Sequence, residues 1–118
     1  MHIDSTEFGR IAIDGSIYDF DVIIRLSGEI VKRKKKLSKK YYGTSHTISE
    51  EEAKFVFEDG CKLLVIGTGQ DDNVRLSDEA AGYLAQKGCK VIAQPTPAAI
   101  ATFNGTRQDK IGLFHVTC

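Results

Sequence analysis

Hydrophobic and polar positions alternate along the first part of the chain and shift to a helical rhythm further on. Ile11 and Ile13 alternate within residues 8–14, which predicts a strand. Asp14-Gly15 follows, the dipeptide favoured in a tight hairpin because Gly tolerates a positive φ. In residues 17–24, Tyr18, Phe20, Val22 and Ile24 share one face at period two. Asp19 and Asp21 fall on the opposite face, which reads as solvated. Ser27-Gly28 turns the chain, and residues 29–36 predict a third strand that runs into a basic cluster. Residues 37–47 show no period and read as irregular.

The second rhythm begins at Ser49-Glu50-Glu51-Glu52, a capping box with Ser49 as N-cap. Ala53, Val56 and Phe57 continue at helical spacing up to Gly60. Leu63-Leu64-Val65-Ile66 is an unbroken apolar run, as expected of a strand covered on both faces. Ser77, followed by Asp78 and Glu79, starts a second helix with the apolar face Ala80, Ala81, Leu84 and Ala85. Lys87-Gly88 stops it. Val91-Ile92-Ala93 predicts another buried strand. Thr96-Pro97 opens a third helix, with Thr96 as cap and Pro97 at the first position. This helix is apolar nearly all round and is expected to be buried. Residues 111–116 form a final strand. The predicted fold is α/β: an N-terminal antiparallel β-meander plus β-α-β-α-β with parallel strands, helices packed on the sheet. One domain is expected over residues 1–118.

Composition adds limits. Hydrophobic residues are 42% and charged residues 27% of 118, enough for a core without metal or disulfide staples. No apolar run approaches the roughly 18 residues of a membrane span, and the start lacks the pattern of a signal peptide. A reducing, cytoplasmic setting is expected. The three cysteines show no C-x-x-C spacing, so no zinc site or disulfide framework is read from them. Gly60-Cys61-Lys62 and Gly88-Cys89-Lys90 each precede a predicted strand. Parallel neighbours would place the two thiols at one end of the sheet, close enough for a bridge that a reducing compartment disfavours.

Four motifs carry candidate chemistry. Gly67-Thr68-Gly69 leaves a buried strand, where backbone N–H groups can approach an anion; the dinucleotide and P-loop patterns are absent. The helix start at Thr96 and Ala98 offers free N–H groups of its own. Parallel strands would bring both to one sheet edge, the edge at which open α/β sheets bind ligands, with His46 near by. An ordinary turn and an ordinary helix cap are the competing explanations. His115 shares the face of Ile111 and Leu113 and reads as half-buried. His115 and Cys118 lack further recognisable ligands, so no metal is expected, and no nucleophile–base pair stands out. The basic residues Lys32, Arg33, Lys34, Lys35, Lys36, Lys39 and Lys40 concentrate seven of 16 positive charges. They could meet phosphates, with Tyr41 and Tyr42 to stack on bases. The acidic remainder disfavours nucleic acid, and a lysine-rich edge strand that blocks aggregation is the competing reading.

Several segments in order resemble a known family. They are Phe8-Gly9-Arg10-Ile11, Ile13-Asp14-Gly15, Tyr18, Asp21-Val22, Gly43 and His46. Leu64-Val65-Ile66-Gly67-Thr68-Gly69, Thr96-Pro97-Ala98, Phe103-Asn104 and His115-Val116-Thr117-Cys118 follow. This order resembles a small uncharacterised α/β family first seen structurally in a methanogen protein. That family also includes mitochondrial complex I assembly factor 3 and the adipogenesis-associated domain protein. The resemblance implies a compact α/β fold, no established catalysis or cofactor, and an interaction or assembly role. The expected function is a non-enzymatic interaction module. Its partner is another protein, with pairing of two copies left open and no membrane contact. The alternative is a small-anion or phosphate ligand at the 67–69 loop and residue 96.

Overall fold

The computed structural model describes residues 1–118. Strands β1 (Ile3–Glu7), β2 (Arg10–Ile13) and β3 (Ser16–Tyr18) form a small antiparallel sheet. The β2–β3 turn is the predicted one: Asp14 and Gly15 have φ of 48° and 82°, the two positive values that a type I′ hairpin requires. β1 was not read from the sequence. It enters the sheet through Ile3, which is buried beside Ile11 and Ile13.

The main sheet has five strands in the order β5-β4-β10-β7-β9. These are β4 (Val22–Ile24), β5 (Ile30–Lys32), β7 (Leu63–Thr68), β9 (Lys90–Gln94) and β10 (Lys110–His115). β10, β7 and β9 run parallel, while β4 and β5 add an antiparallel pair on the other flank of β10. Helix α1 (Lys36–Tyr42) follows β5, and β6 (Thr47–Ile48) leads into α2 (Glu50–Val56). β8 (Arg75–Leu76) pairs with β6 and precedes α3 (Asp78–Gln86). Helix α4 (Thr96–Gly105) connects β9 to β10.

Two cores lie on the two faces of this sheet. Leu64 and Ile66 of β7 join Ile111, Leu113, α2 and α3 on one face. Leu63 and Val65 join Phe114, α4 and the small sheet on the other. A strand covered on both sides has no solvated face, which is why β7 reads as an unbroken apolar run.

Several expectations change. Residues 17–24 are not one strand: the chain breaks after Tyr18, leaves the small sheet and enters the main one at Val22. The break turns Asp21 inward, to 3% exposure, so only Asp19 is solvated. The third strand stops at Lys32, and its expected last residue, Lys36, begins a helix that takes in residues 37–42 of the supposed irregular stretch. That helix ends on Gly43 at φ 69° and is fixed by tertiary bonds of its buried Ser38, which sequence periodicity does not register. Ser49 caps α2 by accepting from Glu52 N at 3.0 Å, but the Glu52 carboxylate does not return to it. Ser38 Oγ receives the Ser49 N–H instead, at 2.9 Å. Pro95, not Thr96, is the N-cap of α4, and that helix buries one face only. Thr96, Ala99, Ile100 and Phe103 point inward while Pro97, Ala98 and Ala101 are exposed.

Candidate functional site

The two predicted ligand elements do meet at one rim of the sheet. Thr96 Oγ1 accepts from Gly69 N at 2.9 Å and donates to the carbonyl of His115 at 2.6 Å. Thr96 N donates back to the Gly69 carbonyl at 3.1 Å. Other loop donors are also engaged. Gln70 N reaches Thr117 O at 2.7 Å, and Asn73 N reaches Cys118 O at 3.3 Å. Thr68 Oγ1 donates to Asp72 Oδ1 at 2.5 Å. The approach is close enough that a Cβ on Gly69 would lie 2.5 Å from the Cys118 carbonyl carbon, and Gly69 sits at φ 103°. Gly67, Thr68, Gly69 and Thr96 thus frame the segment 115–118, and Ala98 lies exposed outside that frame. An anion would compete there with protein acceptors already in place.

The frame positions His115, which is 2% exposed rather than half-buried. Its Nδ1 lies 2.7 Å from Asp21 Oδ2, and its Nε2 lies 3.2 Å from Thr117 Oγ1. Val116 N donates to Asp21 Oδ1 at 3.0 Å. His46 comes in from the segment before β6, held by its carbonyl accepting from Arg75 N at 2.7 Å. Its ring packs edge-on against that of His115, centroids 5.5 Å apart, and its Nε2 lies 3.6 Å from Cys118 Sγ.

Behind His115 is a buried charge network. Arg33 Nε donates to Glu52 Oε2 at 2.5 Å and Nη2 to Glu52 Oε1 at 3.1 Å, a bidentate fork. Nη1 reaches Asp21 Oδ2 at 3.0 Å and Nη2 the Ser45 carbonyl at 2.7 Å. Ser38 Oγ also donates to Glu52. Burial alone would raise the Asp21 pKa. The hydrogen bond and charge of His115, then Val116 N–H and Arg33, reverse that and hold it at about 2. Burial opposes the Arg33 charge too, but Glu52 and then Asp21 outweigh it and raise its pKa. Asp21 is therefore an ionised, acceptor-only carboxylate at neutral pH, which places a proton on His115 Nδ1.

The basic run does not act as one surface. Arg33 is 4% exposed and belongs to the network, which corrects its assignment to a basic patch. Lys40 pairs with Glu51 at 2.6 Å, and Lys39 shares α1 with it. Lys32, Lys34, Lys35 and Lys36 instead wall a cleft of about 520 Å³, together with Asp19, Phe20 and Thr117. Lys35 Nζ is 3.7 Å from Asp21 Oδ2. Thr117 links the cleft to His115. Cys61 and Cys89 lie at the opposite end of the parallel strands, their sulfurs 3.7 Å apart and unbridged. No helix is long and apolar enough to cross a membrane.

A family model described as a protein of unknown function, DUF498/DUF598, matches residues 3–111. The chain belongs to that family. Among solved structures, a conserved hypothetical protein of Pyrococcus horikoshii is similar at 32% identity, with a TM-score of 0.93 and 100% of both chains covered. The protein MT938 is similar at 27% identity and a TM-score of 0.83, over 99% of this chain and 98% of the other. A Mth938-like domain of Bordetella pertussis shares the fold, with 16% identity, a TM-score of 0.63 and coverage of 98% and 85%.

In this DUF498/DUF598 chain, the sequence reading missed the roles of Asp21, Arg33 and Glu52. One signal was present: Val22 pairs with Lys32 across the β4–β5 hairpin, so Asp21 and Arg33 occupy the next matched positions outward. Opposite charges at matched hairpin positions point to a pair. Nothing in the spacing of His46, His115 and Cys118 marks their meeting.

Proposed function

We propose that this DUF498/DUF598 protein is a binding module whose ligand is a small anion seated in the lysine-walled cleft. The observation that carries the reading is the cleft itself. Its volume of about 520 Å³ is in the range of small-molecule sites, and four lysines line it. The two carboxylates there do not cancel them: Asp21 Oδ2 already accepts from Arg33 and lies against His115, and Asp19 is one charge against four lysines. Phe20 adds an apolar wall, with Lys32 Nζ 5.5 Å from its ring centroid.

Thermal melts with inorganic phosphate, pyrophosphate and a dicarboxylate test this. Occupancy at about 100 times Kd stabilises by about 2.7 kcal/mol, a rise of several degrees. Lys35→Glu with Lys36→Glu should abolish the rise, and Arg107→Glu, at an exposed position elsewhere, should keep it. If none of the three anions raises the melt, the reading fails.

A second reading, docking of another protein or a second copy, rests on Phe8, in the β1–β2 turn, and Ile17 of β3. They stay 65% and 64% exposed, unusual for apolar side chains of this size. Sedimentation of wild type and Ile17→Asp at matched concentrations tests self-association.

A further inference from the structure

The donor atoms of His46, His115 and Cys118 lie within 4.8 Å of one another. With metal–nitrogen bonds of about 2.1 Å and metal–sulfur bonds of about 2.3 Å, tetrahedral donors sit about 3.5 Å apart. The 3.6 Å between His46 Nε2 and Cys118 Sγ already matches one such edge. The wider edges close by about 1 Å or a little more, a side-chain adjustment, because His46 and Cys118 are only partly buried.

The surroundings suit ligation. Asp21 accepts from His115 Nδ1, which leaves Nε2 as the nitrogen turned toward Thr117 and the cluster. A carboxylate behind a histidine is the usual outer partner of a metal-bound imidazole, fixing its tautomer and orientation. Here that carboxylate is itself held by Arg33 and by Val116 N. Cys118 is located by its carbonyl, bonded to Asn73 N, and by the close approach of Gly69. The three donors come from separate segments clamped to the same sheet rim.

We propose that His46, His115 and Cys118 bind one borderline-soft divalent transition cation of the Zn²⁺ class. Two imidazoles and a thiolate disfavour Mg²⁺ and Ca²⁺, which take oxygen ligands. The cation replaces the thiol proton of Cys118, which passes to solvent, so binding is linked to proton release. Thr117 Oγ1, now 3.2 Å from Nε2, gives up that contact. Three protein donors leave a fourth position for water or a ligand atom, the pattern of reactive rather than structural zinc sites.

The test is titration of the reduced, chelator-treated full chain with Co²⁺. One equivalent should produce the visible bands of four-coordinate cobalt and a near-ultraviolet thiolate-to-metal band, both erased by Zn²⁺. Cys118→Ser should remove the thiolate band and weaken Zn²⁺ binding about 100-fold or more. His46→Ala should weaken it similarly, with folding checked by circular dichroism. Cys61→Ser should change neither. The proposal is overturned if the folded wild type shows no thiolate band. A band that survives Cys118→Ser and disappears in Cys61→Ser overturns it too. Anion binding by the lysine cleft is scored separately in metal-free protein, so either idea can fail alone.

Discussion

Arg33 and Asp21 form an ion pair of 3.0 Å in which both side chains are almost wholly excluded from solvent, at 1% and 2% exposure. The same guanidinium also grips Glu52, so one cation serves two buried carboxylates. Desolvation makes such a group weak as a source of stability relative to an apolar core. Breaking it is costly, because the abandoned charges stay buried.

Arg33→Met should therefore destabilise the fold by about 3–5 kcal/mol. Lys34→Ala, one position away but exposed, should stay within about 0.5 kcal/mol of wild type. Urea denaturation of the two variants measures the difference. Similar midpoints would show that the network contributes little.

The acid limb of stability should follow Asp21. Its carboxyl stands at about 2 in the folded protein against 3.8 for the free side chain. A depressed folded value means stability that is present above the unfolded pKa and lost as pH falls through the folded one. The window runs from about pH 4 to about pH 2, and the contribution is on the order of 2 kcal/mol. Asp21→Asn should be less stable at neutral pH and show a shallower decline across that window. Parallel urea-midpoint profiles for the two proteins would contradict this origin.

The three thiols should separate by reactivity. Burial pushes Cys89 up to about 12 and raises Cys61 as well. At about pH 8 the Cys89 thiolate fraction is then about one in ten thousand. Ellman's reagent should modify Cys118 alone in the native protein and the other two only after denaturant is added. Two or three fast thiols in the native state would refute the burial argument. A bound Zn²⁺ should protect Cys118 as well.

Local chemistry made much of the fold legible. Asp14-Gly15 needed only its own φ values to make a hairpin. Ser49 and Ser77 cap α2 and α3 through bonds spanning three residues. The convergence of Gly69 with Thr96 followed from parallel strands sharing their carboxyl ends. What stayed hidden depends on partners far along the chain. Asp21 looks solvated by alternation until Val116, 95 residues away, donates to it. α1 looks irregular because its inward Ser38 is held by Ser49 and Glu52 rather than by an apolar stripe. The Lys32–Lys40 stretch reads as uniformly basic, and only the position of Glu52 shows that Arg33 turns the other way.

The strand order has a consequence for biosynthesis. β10 lies between β4 and β7 and is the latest of the five to leave the ribosome, so the two flanks of the sheet cannot be joined earlier. A nascent chain halted before residue 110 carries two separate strand sets, β4 with β5 and β7 with β9, each with a bare apolar edge. Sheet closure is thus a late, long-range event, and until it occurs those edges lack the strand that covers them.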